Sequence, residues 1–152
     1  FNRERLLDGA IASVILDYDY VLIDCPPSIG LLTVNALTAA SEVLVPIQCE
    51  YLALEGLGQL LSNVERVKTH LNKDLHISTI ALVMFDARTK LAGQVVEEIR
   101  SHFGERVCQQ TVPRSVRLSE APSYGQPIIY YDSSSRGAIA YRSLAKEITG
   151  GA

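Results

Sequence analysis

The sequence predicts an α/β layer fold built around a parallel sheet. Three observations lead there. Stretches with helical spacing alternate with short apolar runs. Those runs are continuous in their apolarity, as strands covered on both faces are. The chain has 152 residues, 47% of them apolar and 20% charged, which is enough material for one core and too few charges for a disordered chain. No repeat, low-complexity tract or linker divides it, so residues 1–152 read as a single domain or the larger part of one.

Leu6, Leu7, Ala10, Ile11, Val14 and Ile15 recur at helical spacing and predict an opening amphipathic helix. Tyr20–Asp24 is a short apolar run ending in an acid, which suits a buried strand. Residues 25–30 form a loop, because Pro26 and Pro27 in succession continue neither element. Leu31–Ala40 reads as a helix. Glu42–Ile47 reads as a second strand whose pairing should stop at Pro46, which has no donor. Ala53–Leu71 carries a long stripe of period near 3.6. Ile77–Phe85 is a third strand and Lys90–Phe103 a helix, with Gly104 as its stop signal. Val107–Val112 and Pro127–Tyr131 are two further strand candidates. Residues 133–135, all Ser, offer N-caps for a last helix through Ile148.

Composition excludes several classes. A formal net charge of −3 rules out a wholly basic nucleic-acid protein but leaves room for a local basic patch. No apolar run is long enough for a membrane span, and no basic segment followed by an apolar one opens the chain, so neither a membrane anchor nor a signal peptide is expected. Cys25, Cys49 and Cys108 are odd in number, far apart and without a CxxC pair, and read as reduced thiols of a cytoplasmic protein. His70, His76 and His102 have no metal-site spacing, and no GxSxG elbow is present. Charge is uneven: residues 1–58 carry 2 basic and 8 acidic side chains, residues 59–152 carry 12 and 9. Part of the basic excess falls in loops, at Arg88, Lys90, Arg114 and Arg117. It reads either as a cationic surface or as a solvated face of paired charges.

In parallel α/β folds ligands sit beyond the carboxyl ends of the strands, which singles out loops 24–30, 85–90 and 113–126. Asp24 at a strand end could hold hydrated Mg²⁺ or orient a water, or merely cap the next turn. Pro26 and Pro27 stiffen the loop behind it and Gly30 gives it a pivot, which suits a switch that senses a γ-phosphate as well as an ordinary tight connection. No GxxxxGK[ST] motif occurs, so the backbone cradle that binds phosphates is missing from this sequence. A receiver-type signalling domain also places an Asp at a strand end. It needs an earlier acidic pair and a late Lys-Pro, and neither is present.

Residues 18–40 (YDYVLIDCPPSIGLLTVNALTAA) resemble the switch II region of ParA/Soj-type chromosome-partitioning ATPases, the deviant Walker relatives of MinD. The resemblance continues through 45–57 (VPIQCEYLALEGL), 84–91 (MFDARTKL) and 112–125 (VPRSVRLSEAPSYG), and YDSSSRGA at 131–138 opens the last helix as in that family. It covers residues 4–149. It implies a doubly wound, mostly parallel P-loop NTPase-like fold, incomplete at the N-terminus. The chain then corresponds to the C-terminal portion, without the phosphate loop and the switch I acid.

By that resemblance Asp24 is the catalytic switch II acid, near Mg²⁺ through water. Pro26, Pro27, Ser28 and Gly30 couple nucleotide state to dimerisation. Met84 and Phe85 begin one wall of the adenine site, and Pro113 and Arg114 the other. Arg88, Lys90, Arg114 and Arg117 are candidates for non-specific DNA contact, with Arg114 contested between two roles. The expected cofactors are ATP and Mg²⁺ in the complete protein, and the expected partners a second copy on ATP binding, DNA and a ParB-type centromere-binding protein. The expected location is cytoplasmic and nucleoid-associated, in a chromosome or plasmid system. The chain alone is expected to be inactive. The alternative is a non-catalytic α/β interaction module.

Overall fold

The computed structural model describes residues 2–26 and 28–150. The chain forms two compact units, Phe1–Val43 with Gly58–Ser78, and Leu44–Leu57 with Thr79–Ala152.

The first unit contains α1 (Leu6–Ile11) and α2 (Leu31–Ala39). Buried Asn35 ties them together: its Nδ2 donates to Arg3 O at 2.7 Å and Leu31 O at 2.9 Å, and its Oδ1 accepts from Leu7 N at 3.2 Å. At the far end of α2, Asn72 Nδ2 donates to the carbonyls of Ala40, Leu37 and Thr38 at 2.7, 3.0 and 3.1 Å. These are carbonyls that a helix C-terminus leaves without an intrahelical partner. The Arg5 guanidinium donates to Leu71 O.

Two elements of this unit depart from the sequence reading. The opening helix ends at Ile11, and a turn and a single 3₁₀ turn (Ile15–Asp17) follow. Gly9 and the β-branched Ile11, Val14 and Ile15 are weak helix formers. The apolar stripe also gains little burial, with Leu6 67% and Val14 45% exposed, so packing does not extend the helix. Tyr20–Asp24 is not a strand: residues 20–26 have no regular structure, and Leu22 is 89% exposed. A strand exists only through a neighbour's ladder, and no described residue supplies one here.

The sheet has three strands in the order β1-β2-β3, with β1 at Glu42–Gln48, β2 at His76–Phe85 and β3 at Val107–Pro113. Helix α3 (Tyr51–His70) connects β1 to β2, and α4 (Lys90–Phe103) connects β2 to β3. Pro46 does not end β1, which runs on to Gln48. The Cys49 N–H donates to Val83 O at 3.1 Å. Counting back in twos, Val45 and Ile47 face β2 with their N–H groups, so the missing donor of Pro46 falls on the outer edge, where it costs no ladder bond. Strands β2 and β3 are parallel, with Ile80 opposite Val107, Leu82 opposite Thr111 and Phe85 opposite Pro113, and the register slips in both intervals.

The first slip is a bulge in β3. It leaves two consecutive N–H groups, Gln109 and Gln110, donating to the two carboxylate oxygens of Glu147 at 2.5 and 3.0 Å. Arg100 donates to Gln109 O at 3.0 Å, so opposite charges hold the bulge's donors and its acceptor. Helix α7 (Arg136–Ile148) lies on β3: Ala140 and Leu144 pack with Ala81, Cys108 and Val112, all buried. Its N-cap is Ser135, whose hydroxyl accepts from Ala138 N at 3.2 Å.

The short helices α5 (Val116–Glu120) and α6 (Ile128–Tyr131) close the second unit. Gly137 lets α5 approach α7, since a Cβ there would lie 2.7 Å from Leu118 Cγ. Residues 127–131, expected as a strand, form one helical turn instead. Tyr131 N donates to Pro127 O at 3.0 Å and Asp132 N to Ile128 O at 2.9 Å. Ile128 is buried against Ala121 and Ala138, which gives the turn its anchor without any strand neighbour.

Candidate functional site

In the second unit the carboxyl ends of the three strands come together. Besides the Cys49–Val83 bond, the Arg114 N–H donates to Phe85 O at 3.0 Å, which fastens the start of the 114–115 loop to the end of β2. Phe85 and Pro113 are register partners. The four residues expected at an adenine site, Met84, Phe85, Pro113 and Arg114, are therefore neighbours, although 28 positions separate Phe85 from Pro113.

Met84 has φ of 55°, the one non-glycine residue with positive φ among those described. For a side chain with a Cβ this conformation costs of order 1–3 kcal/mol. It coincides with the second register slip, between Leu82 and Phe85. Strain and bulge together redirect the backbone at the mouth of the sheet, where bulges commonly re-aim a side chain.

The cationic residues of these loops are paired with acids. Arg88 grips Asp86 with two prongs, Nε to Oδ1 at 2.9 Å and Nη2 to Oδ2 at 2.7 Å, and its backbone N–H reaches Oδ1 at 3.1 Å. The Arg88 side-chain bond, then its backbone bond, hold the Asp86 carboxyl far below the usual carboxylate range, and the Arg114 charge adds to the effect. Arg114 pairs with Glu50 at 2.6 Å. Arg117 pairs with Glu120 at 3.1 Å and lies 3.5 Å from Asp132. Tyr131 Oη donates to Glu120 at 3.3 Å and its ring stacks on Tyr124, with centroids 5.0 Å apart. Lys90, exposed at the first position of α4, makes no ion pair among the described residues.

Sequence reasoning found these cations and gave no role to Glu50, Asp86, Glu120 or Asp132. The Asp-Ala-Arg spacing at 86–88 was a readable signal for one pair. Nothing local announces that Glu50 will meet Arg114, since the two are 64 positions apart.

Asp24 belongs to the first unit. It is exposed, and its carboxylate accepts no hydrogen bond from a described residue. Its charge reaches the neighbouring Cys25 thiol, which is exposed; partial desolvation first, and then the Asp24 charge, raise its pKa. Pro26 and Ser28 are exposed; Ser28 O accepts from the Thr33 hydroxyl at 2.7 Å, and Gly30 is the N-cap of α2. Pro27 lies outside the described residues. No group of three or more His, Cys, Asp and Glu that could hold a metal ion occurs among the described residues, so Asp24 offers a single carboxylate, which fits a water-mediated contact to Mg²⁺. No described helix is long and apolar enough to cross a membrane.

Comparison with known proteins fits this arrangement. The profile of a family described as "AAA domain" matches residues 1–77. The sporulation initiation inhibitor protein Soj of Bacillus subtilis is 56% identical over 97% of this chain, and the chromosome partitioning protein ParA of Myxococcus xanthus is 54% identical over 97%. The chain spans 58% and 52% of the lengths of these two relatives. Among solved structures, cobyrinic acid a,c-diamide synthase of Mycobacterium smegmatis with bound ADP and magnesium is 35% identical. It matches 100% of this chain and 56% of its own, with a TM-score of 0.76. The cell division ATPase MinD of Pyrococcus furiosus is 24% identical and shares the fold, with a TM-score of 0.77 over 98% of this chain and 59% of its own.

The fold is thus the parallel α/β fold of P-loop NTPases, present here without the phosphate-loop motif. Within that class the chain belongs to the AAA-domain family, in its ParA/Soj branch of chromosome-partitioning ATPases.

Proposed function

We propose that this chain, residues 1–152, is the C-terminal part of one ATPase domain. In the complete protein that domain works as an ATP-dependent dimeric switch for segregating a chromosome or plasmid. The switch is cytoplasmic, binds nucleoid DNA without sequence preference and answers to a ParB-type partner. The observation that carries the reading is the match at 52% identity over 97% of the chain to a protein named as a chromosome-partitioning ATPase, Soj of Treponema pallidum. Two structural features support it: an exposed carboxylate at Asp24 that no described residue hydrogen-bonds, and the bulged strand end at Met84 beside Pro113 and Arg114.

In this reading Asp24 holds Mg²⁺ through water, and Mg²⁺ when bound supplies charge stabilisation at the phosphates. Pro26, Pro27, Ser28 and Gly30 transmit the nucleotide state. Met84, Phe85, Pro113 and Arg114 receive the base, and Arg88, Lys90, Arg114 and Arg117 face DNA phosphates. The chain by itself is inactive, since backbone N–H groups of a GxxxxGK[ST] loop are what bind the phosphates. Phosphate release from ATP by the product of the whole reading frame tests this. Asp24→Ala should lower turnover by ~10²-fold or more with an unchanged circular dichroism spectrum. Unchanged turnover removes Asp24 from the chemistry.

A second reading, a non-catalytic interaction module, rests on the missing motif alone. It predicts that the whole product binds no ATP.

A further inference from the structure

The three arginines beyond the strand ends are each held by an acid of the same unit: Arg88 by Asp86, Arg114 by Glu50, and Arg117 on α5 by Glu120 and Asp132. Exposed ion pairs contribute little to stability, about 0–1 kcal/mol each, so fold stability alone does not require them. Their effect on an approaching polyanion is larger. The charges of each pair lie 2.6–3.5 Å apart, well inside the Debye length of about 8 Å at physiological salt. From a distance each pair is a weak dipole and not a cation. The Arg88 side chain is 85% exposed, so it can be reached by a phosphate. One edge of its guanidinium, Nε with Nη2, is already filled by the two Asp86 oxygens in the bidentate geometry a phosphate would use.

We propose that Asp86, Glu50 and the Glu120–Asp132 pair are charge guards of this surface. A nucleic-acid phosphate that engages Arg88, Arg114 or Arg117 competes with an intrachain carboxylate for the same guanidinium charge. Affinity is thereby held below what the arginines alone would give, binding becomes readily reversible, and its salt dependence is shallower than that of unguarded arginines. This rests on the reading that these loops face DNA. Lys90, without an ion pair among the described residues, is the cation a polyanion meets first. The guards are then exchanged one pair at a time.

The test is fluorescence anisotropy of a random-sequence DNA duplex with the full ATP-loaded protein across a salt series. Asp86→Asn keeps an Oδ1 acceptor for the Arg88 N–H and removes the charge, and Glu50→Gln does the same beside Arg114. Each should tighten binding ~3-fold or more and steepen the slope of log affinity against log salt by up to about 0.9, the worth of one added phosphate contact. Glu97→Gln on α4 makes the same change in net charge without releasing an arginine, and should shift affinity by less than ~1.5-fold. Arg88→Gln should weaken binding. If Arg88→Gln weakens binding while Asp86→Asn and Glu50→Gln match Glu97→Gln, the guard proposal is overturned and the DNA reading stands. If Arg88→Gln changes nothing, the DNA reading itself fails at this loop.

Discussion

Residues 20–24 (YVLID) form a short apolar run, whereas residues 107–112 (VCQQTV) are half polar and by composition the weaker strand. In the structure the order is reversed. Val107–Pro113 pairs with β2, is covered by α7 and buries Val107 and Val112 to within 2% exposure. Tyr20–Asp24 pairs with no described residue and leaves Tyr20 62% and Leu22 89% exposed. Apolar content sets what a segment could bury. Whether it does so depends on a neighbour elsewhere in the chain, because a strand's hydrogen bonds are made to another segment while a helix makes its own.

Thiol chemistry should show the largest contrast. Cys25 follows the unpaired run and is exposed, whereas Cys49 and Cys108 are buried in the second unit. Burial pushes the Cys49 thiol up to about 11, only partly offset by the Arg100 charge. A disulfide-exchange reagent at pH 8 should label Cys25 at least ~10²-fold faster than the other two, whose reaction waits on opening of the core. Equal rates would mean that the second unit is no better ordered than residues 20–26. The same shift links to stability. Cys49 is harder to ionise folded than unfolded, so its contribution is full below pH 9.0 and lost as pH rises to about 11. Thermal melts should fall across that window, and less so for Cys49→Ala.

The next effect in size is on packing. Leu144→Ala empties a site against Val112, Cys108 and Ala81, and should cost about 2–4 kcal/mol by urea denaturation. A cost below about 1 kcal/mol would mean that α7 does not depend on β3.

Elements that make their own hydrogen bonds were legible in the sequence. Lys90–Phe103 has the predicted bounds, and Ser135 caps α7 as the Ser run suggested. The Gly104 stop signal is met by φ of 55°. What failed depended on partners. Residues 127–131 look β-rich, yet a turn anchored by Ile128 satisfies their backbone locally. Pro46 looks like a stop in the sequence because the side of the strand its nitrogen faces follows only from the sheet order. At the site, the strand-end cations were visible as residue types and their acids were not. Arg114 meets Glu50 only once β1 and β3 end on the same rim. The positive φ of Met84 has no sequence signature at all, since methionine is not a residue chosen for that conformation.

The smallest effect bears most directly on the unpaired run. Leu22→Ala removes a side chain that is already in water, so in this chain it should change stability by no more than about 0.5 kcal/mol. The relatives are longer than this chain, which spans 58% and 52% of the first two. If residues 20–24 become an inner strand in a longer polypeptide, as the proposed ATPase domain requires, the same substitution there should cost about 2–5 kcal/mol. The substitution thus reads out what surrounds Leu22. A small cost in both polypeptides would leave the run without a ladder in either, and would place Asp24 on a mobile segment, not at the rigid mouth of a sheet. A large cost in the short chain would mean that Leu22 is buried in solution by self-association, and the cost would then grow with protein concentration.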